Sequence, residues 1–136
     1  MTLFVDTSVW SLALRRNQDI EGSEVSRLRD ALGGGEAIYT TGVVLQELLQ
    51  GIRSPSQRTR IVEHFTSLPM LVPTRDDYIE AADLYNECRS RGIQVGTIDA
   101  LLARLCISHD LVILSTDRDF GYIAESTSLQ LWTPLP

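Results

Sequence analysis

The stretch Val112-Ile113-Leu114-Ser115-Thr116-Asp117-Arg118-Asp119-Phe120 decides the fold. Its opening apolar run has no polar residue alternating through it, which marks a strand covered on both faces. Hydroxyl residues and an acid end the run and lead straight into a short helical pattern after Asp117. The same order stands near the start of the sequence, where Leu3-Phe4-Val5 runs into Asp6-Thr7-Ser8-Val9-Trp10. Short apolar segments bounded by polar residues predict strands over Thr2–Val5, Ala37–Thr40, Met70–Val72, Val112–Ser115 and Leu129–Leu131. Helical spacing predicts Thr7–Leu14, Glu24–Leu32, Gly42–Ile52, Pro55–Leu68, Asp76–Arg91 and Ile98–His109, with the short helix after Asp117. Strands alternating with helices give an α/β fold: a mainly parallel central sheet of about five strands with helices on both faces, because parallel strands need crossover connections.

In such a sheet the helix N-termini and strand C-termini share one edge, and ligands bind there. Asp6 and Asp117 both follow strands and belong to that edge. Asp99 falls in the first turn of its helix, just after the predicted cap Thr97, and joins them. Glu47 lies about five residues into its helix, roughly 8 Å below the start at about 1.5 Å rise per residue, and needs the longer arm of a glutamate. On a wheel of about 100° per residue, Val44, Leu45, Leu48, Leu49 and Ile52 share the core face, and Glu47 borders it. Ile98, Leu101, Leu102, Leu105 and Cys106 form a similar face with Asp99 at its margin.

Carboxylates converging on one cleft repel one another unless a divalent cation neutralises them, and hard Mg2+ or Mn2+ prefers oxygen ligands. Phosphodiester hydrolysis is the chemistry that wants this arrangement, since the cation polarises a phosphoryl group and orients an attacking water. Each acid also has a plainer role open to it. Asp6 and Asp117 can cap the helices that follow, Asp99 can complement a helix dipole, and Glu47 can be a solvated helix residue.

The 136 residues suit one domain spanning 1–136, and 43% hydrophobic with 22% charged residues is ordinary globular composition. A net charge of −6 argues against binding nucleic acid through a broad basic surface. All 12 basic residues are Arg. No apolar run approaches the roughly 18 residues that span a bilayer, and the opening Met-Thr-Leu-Phe-Val-Asp lacks a signal peptide's charged region, so the cytoplasm is the expected location, with no membrane association. Cys88 and Cys106 are expected to be reduced, buried thiols rather than a disulfide framework.

Val5-Asp6-Thr7-Ser8-Val9-Trp10 resembles the opening motif of PIN-domain nucleases, particularly the VapC-type toxins of type II toxin–antitoxin pairs. Leu45-Gln46-Glu47-Leu48 with Gly51 is similar to their second acidic motif, Thr97-Ile98-Asp99-Ala100-Leu101-Leu102-Ala103 to the third, and Leu114-Ser115-Thr116-Asp117-Arg118-Asp119-Phe120 to the fourth. The resemblance runs end to end, in order and at the family's spacing. It implies a metal-dependent endoribonuclease in which Asp6, Glu47, Asp99 and Asp117 are the catalytic residues and hold Mg2+ or Mn2+, with water attack leaving 5′-phosphate and 3′-hydroxyl ends. Thr7, Ser8 and Thr116 match polar positions that place water or a phosphate oxygen, although a hydroxyl at a helix start is more commonly a cap. Asp119 is a candidate further ligand, against a solvent-facing or Arg-paired aspartate. The resemblance also implies an RNA substrate, a homodimer, and a cognate VapB-like antitoxin that crosses the cleft and offers a cation to the acids.

Arg15, Arg16 and Arg53, with Arg58 and Arg60, are candidate RNA phosphate contacts beside a solvated-surface reading. His64 and His109 are too far apart for a paired-histidine ribonuclease and read as ordinary helix positions. Thr74-Arg75-Asp76-Asp77 reads as a helix-start capping arrangement, Trp10 as core and Trp132 as cover for a sheet edge or core rim. Receiver and dehalogenase phosphoryl chemistry is disfavoured because both use a Lys to offset the phosphoryl charge. A structure-specific DNA nuclease and a non-catalytic PIN module acting by binding are the remaining alternatives.

Overall fold

The computed structural model describes residues 1–14 and 22–135. Its elements, in chain order, are β1 (Leu3–Val5), α1 (Thr7–Ala13), α2 (Ser23–Gly33), β2 (Ile38–Thr41), α3 (Gly42–Gln50), α4 (Pro55–Phe65), β3 (Met70–Leu71), α5 (Arg75–Ser90), α6 (Thr97–Ser108), β4 (Val112–Leu114), α7 (Arg118–Ser126) and β5 (Gln130–Leu131). The strands form one sheet of order β3-β2-β1-β4-β5, and every pairing is parallel.

That order places the site. From β1 the chain steps outward through β2 to β3, then returns past β1 to β4 and steps outward again to β5. Right-handed crossovers in the two directions put α1–α4 on one face and α5–α7 on the other. Helix contacts follow this division, with α1 packed on α2 and α3, α3 on α4, α5 on α6 and α6 on α7. The chain thus leaves β1 toward one face and the adjacent β4 toward the other, which opens a crevice beyond their C-terminal ends.

Leu3, Phe4 and Val5 of β1 and Ile113 and Leu114 of β4 are wholly buried, as unbroken apolar runs in a doubly covered sheet should be. Phe120 and Ile123 bring α7 onto the same core, and Trp10 packs against Phe65 with ring centroids 5.0 Å apart. Cys88 and Cys106 are free and buried. One expectation at a helix start is corrected: Gly96, not Thr97, is the N-cap of α6, and Thr97 is the first helical residue. Glycine supplies no side-chain cap, so the acidic first-turn residue Asp99 faces the helix dipole unaided. At Thr74 the capping box forms in full, the hydroxyl accepting from Asp77 N at 3.2 Å and the Asp77 carboxylate from Thr74 N at 2.8 Å. Replacing Thr74 by Ala removes one of these bonds far from the crevice and is expected to lower stability by about 1 kcal/mol, measured by urea denaturation.

Candidate active site

Asp6 follows β1 in extended conformation at the N-cap position of α1, yet its side chain makes no capping bond. Its Oδ2 accepts instead from Ser8 Oγ at 3.0 Å and Ser115 Oγ at 2.9 Å. Its backbone N–H donates to Leu114 O at 3.0 Å, so the residue ties the end of β1 to the end of β4. At 7% exposure Asp6 is the one buried acid among the described residues. The two serine hydroxyls in turn accept from the loop after β4: Thr116 N–H donates to Ser8 Oγ at 3.2 Å and Asp117 N–H to Ser115 Oγ at 3.0 Å.

Asp117 caps α7 by accepting from Asp119 N at 2.9 Å. Glu47 reaches the rim from the interior of α3 and accepts from Thr7 Oγ1 at 3.1 Å, a bond that joins α3 to α1. Asp99, Asp117 and Asp119 each present a carboxylate oxygen, and the three atoms lie within 4.8 Å of one another. Partial burial first, and then the charges of Asp117, Asp6, Asp119 and Glu47 in that order, together raise the Asp99 carboxyl to about 6. All five acids therefore act on one small volume. An all-oxygen donor set with this density of negative charge fits a hard divalent cation such as Mg2+ or Mn2+, and offers no thiolate or imidazole to favour zinc.

The structure brings Asp6, Glu47, Asp99 and Asp117 to the same crevice, and it adds Asp119 as a full member of the tightest group. The hydroxyls of Thr7 and Ser8 serve the acids themselves, fixing Glu47 and Asp6, while Thr116 is exposed and contributes its backbone N–H. Ser115 was not singled out by sequence reasoning. A lone polar residue closing the apolar run of β4, one strand over from Asp6, was the available signal. Arg53 is exposed in the turn after α3, and Arg15 and Arg16 lie outside the described residues. His64 sits on α4 against Trp10, and His109 is the C-cap of α6.

The family model for the PIN domain matches residues 3–126. Ribonuclease VapC11 of Mycobacterium tuberculosis is 32% identical over 130 residues, covering 94% of this chain and 96% of its own. Among solved structures, VapBC2 from Rickettsia felis, bound to a DNA fragment of its promoter, superposes with a TM-score of 0.75 at 20% identity, covering 97% of this chain and 98% of that one. VapBC-5 from M. tuberculosis, described as a member of the VapBC family of toxin–antitoxin systems, gives a TM-score of 0.67 at 20% identity, with 96% of each chain covered.

The raised Asp99 carboxyl makes the metal-free fold pH-dependent. The folded state holds this proton to about 6 and the unfolded chain releases it near 3.8, so stability falls as pH rises between these values and stays lower above them. Asp99→Asn, which keeps the shape and removes the charge, is expected to raise the thermal midpoint in EDTA at pH 8, with the gain vanishing toward pH 4. An unchanged midpoint at pH 8 would refute the repulsion.

Proposed function

Because this chain belongs to the PIN domain family, we propose that residues 1–136 form one nuclease domain, a divalent-metal-dependent endoribonuclease acting as the toxin of a toxin–antitoxin pair. One observation carries the reading: five carboxylates meet at the switch point of a parallel sheet, three of them with oxygens within 4.8 Å of one another. The relative named a ribonuclease covers nearly the whole chain and supports RNA as substrate.

Asp6, Glu47, Asp99 and Asp117, with Asp119, would hold Mg2+ or Mn2+. When bound, the cation supplies charge neutralisation and Lewis acidity at the scissile phosphoryl group. The protein's part is orientation. Ser8 and Ser115 fix Asp6 through its Oδ2, and Thr7 holds Glu47. The core behind Asp6, built from Val5, Val9 and Leu114, excludes water from that side. Hydrolysis by water would leave a 5′-phosphate and a 3′-hydroxyl.

The antitoxin reading rests on the similar VapBC assemblies. A cavity of about 550 Å³ between α1, α2 and α4, floored by Trp10, Leu28, Ile61 and Phe65, offers apolar anchorage to such a segment. Val72, Tyr78 and Ile79, all more than half exposed at the β3 edge and the start of α5, suit a homodimer contact. Among the described residues no helix is long and apolar enough to cross a membrane, and a cytoplasmic location fits a cellular RNA target.

Purified protein is expected to cleave single-stranded RNA with Mg2+ or Mn2+ and to lose that activity in EDTA. Asp6→Ala and Asp99→Ala should fall by at least about 100-fold, and Ser115→Ala by about 10- to 100-fold, because a residue orienting a ligand costs less than the ligand itself. Cleavage surviving in both aspartate variants would overturn the site.

A further inference from the structure

A second cavity opens directly beside the acids. It has a volume of about 320 Å³ and shares Ser115, Thr116 and Asp117 with the site just described. Its remaining wall is Arg118, Gly121, Tyr122 and Glu125 of α7, Leu131 of β5 and Glu24 of α2. Along α7 these positions fall at i, i+3, i+4 and i+7, so they form one face of the helix. Phe120 and Ile123 face the core and are fully buried, while Tyr122 keeps 46% of its surface exposed. The helix therefore spends one face on folding and leaves an aromatic ring, a guanidinium and a carboxylate on the other.

We infer that this cavity receives the nucleobase adjoining the scissile phosphate, stacked on Tyr122, and that it favours guanine. The inference rests on the nuclease reading of the acids and extends it to substrate choice. An exposed ring beside a phosphodiester site is a stacking platform, because every base has a π-face. Glu24 and Glu125, as carboxylates, only accept hydrogen bonds. Guanine presents N1–H and its amino group side by side, a pair of donors that one carboxylate accepts at once. Uracil sets a single N–H between two carbonyl oxygens, and cytosine and adenine set one amino group beside an acceptor nitrogen, so each brings an acceptor against the carboxylates. Arg118, at the first position of α7 next to Asp117, is the cation placed for the backbone of the same nucleotide. With a net charge of −6, general attraction to RNA is weak, and local contacts of this kind must supply affinity.

Gly121 gives a probe that spares the fold. An added Cβ there meets nothing closer than Leu131 Cδ2 at 4.0 Å, so Ala fits the helix and its methyl narrows the cavity beside Leu131. Alanine also favours helix over glycine, so this variant should be at least as stable as the parent.

The test is cleavage of a randomised pool of short single-stranded RNAs in Mn2+, with cut sites mapped by sequencing and folding checked by thermal midpoint. The expected result is guanine enriched at one position flanking the cut. Tyr122→Ala should lower kcat/KM by about tenfold or more, with Tyr122→Trp retaining it. Glu24→Gln combined with Glu125→Gln should flatten the guanine preference, and Gly121→Ala should reduce turnover of guanine-flanked sites without loss of stability. Equal base frequencies at the cut, or kcat/KM and preference unchanged in folded Tyr122→Ala and Gly121→Ala, would overturn the inference. If the parent protein cleaves nothing, the nuclease reading fails by itself, and binding decides the cavity. In Ca2+, fluorescence anisotropy of labelled oligonucleotides differing only in one central base should then show tighter binding of the guanine form, abolished by Tyr122→Ala. Equal binding of all four would overturn it.

Discussion

A single carboxylate oxygen, Asp6 Oδ2, receives hydroxyl hydrogen bonds from Ser8 in the first turn of α1 and from Ser115 at the end of β4, and the site is organised around it. The bonds do two jobs. They satisfy a charged group that would be costly to bury alone, and they close the gap between β1 and β4 at the place where the crossovers diverge. The serines pass the constraint on, because each also accepts a backbone N–H from the loop that carries Asp117. Asp117 then caps α7 through Asp119 N, so the direction of a helix follows from an oxygen on the adjacent strand.

Against this order works the mutual repulsion of the acids. Asp99 feels it most, lying partly buried and within the field of four other carboxylates. Such crowding is unfavourable for folding and useful for binding a cation, the usual opposition between stability and function at an active site. The surrounding structure supplies the stability. Phe4, Leu114, Phe120 and Ile123 are fully buried immediately behind the rim, so the strain sits on a rigid floor.

Most of the architecture was legible in the sequence because unbroken apolar runs and helical spacing carry it. The acids on the rim were legible for the same reason: a residue that ends a strand in a parallel sheet has its place set by topology. What sequence could not show was pairing across the fold. The Thr7–Glu47 bond joins helices forty positions apart, and Ser115 looked like one more polar residue at a strand end. Asp119 was ambiguous because two residues past a helix cap can face solvent or crevice, and only the orientation of α7 decides. Gly96 displaced Thr97 as a cap because the backbone turns into the helix one residue early, a choice that composition does not specify. The base cavity was hidden for a similar reason, since Arg118, Tyr122 and Glu125 become a wall only when Leu131 and Glu24 arrive from elsewhere.

The bond between Asp6 and Ser115 spans 109 positions of sequence. During synthesis the first acid leaves the ribosome long before the strand that will hold it exists, and β1 meanwhile lacks its β4 partner. Asp99, Asp117 and Asp119 follow only with α6 and α7. A chain that has emerged only as far as α5 thus carries scattered carboxylates and no centre, so any activity waits for α6, β4 and α7 to join the fold.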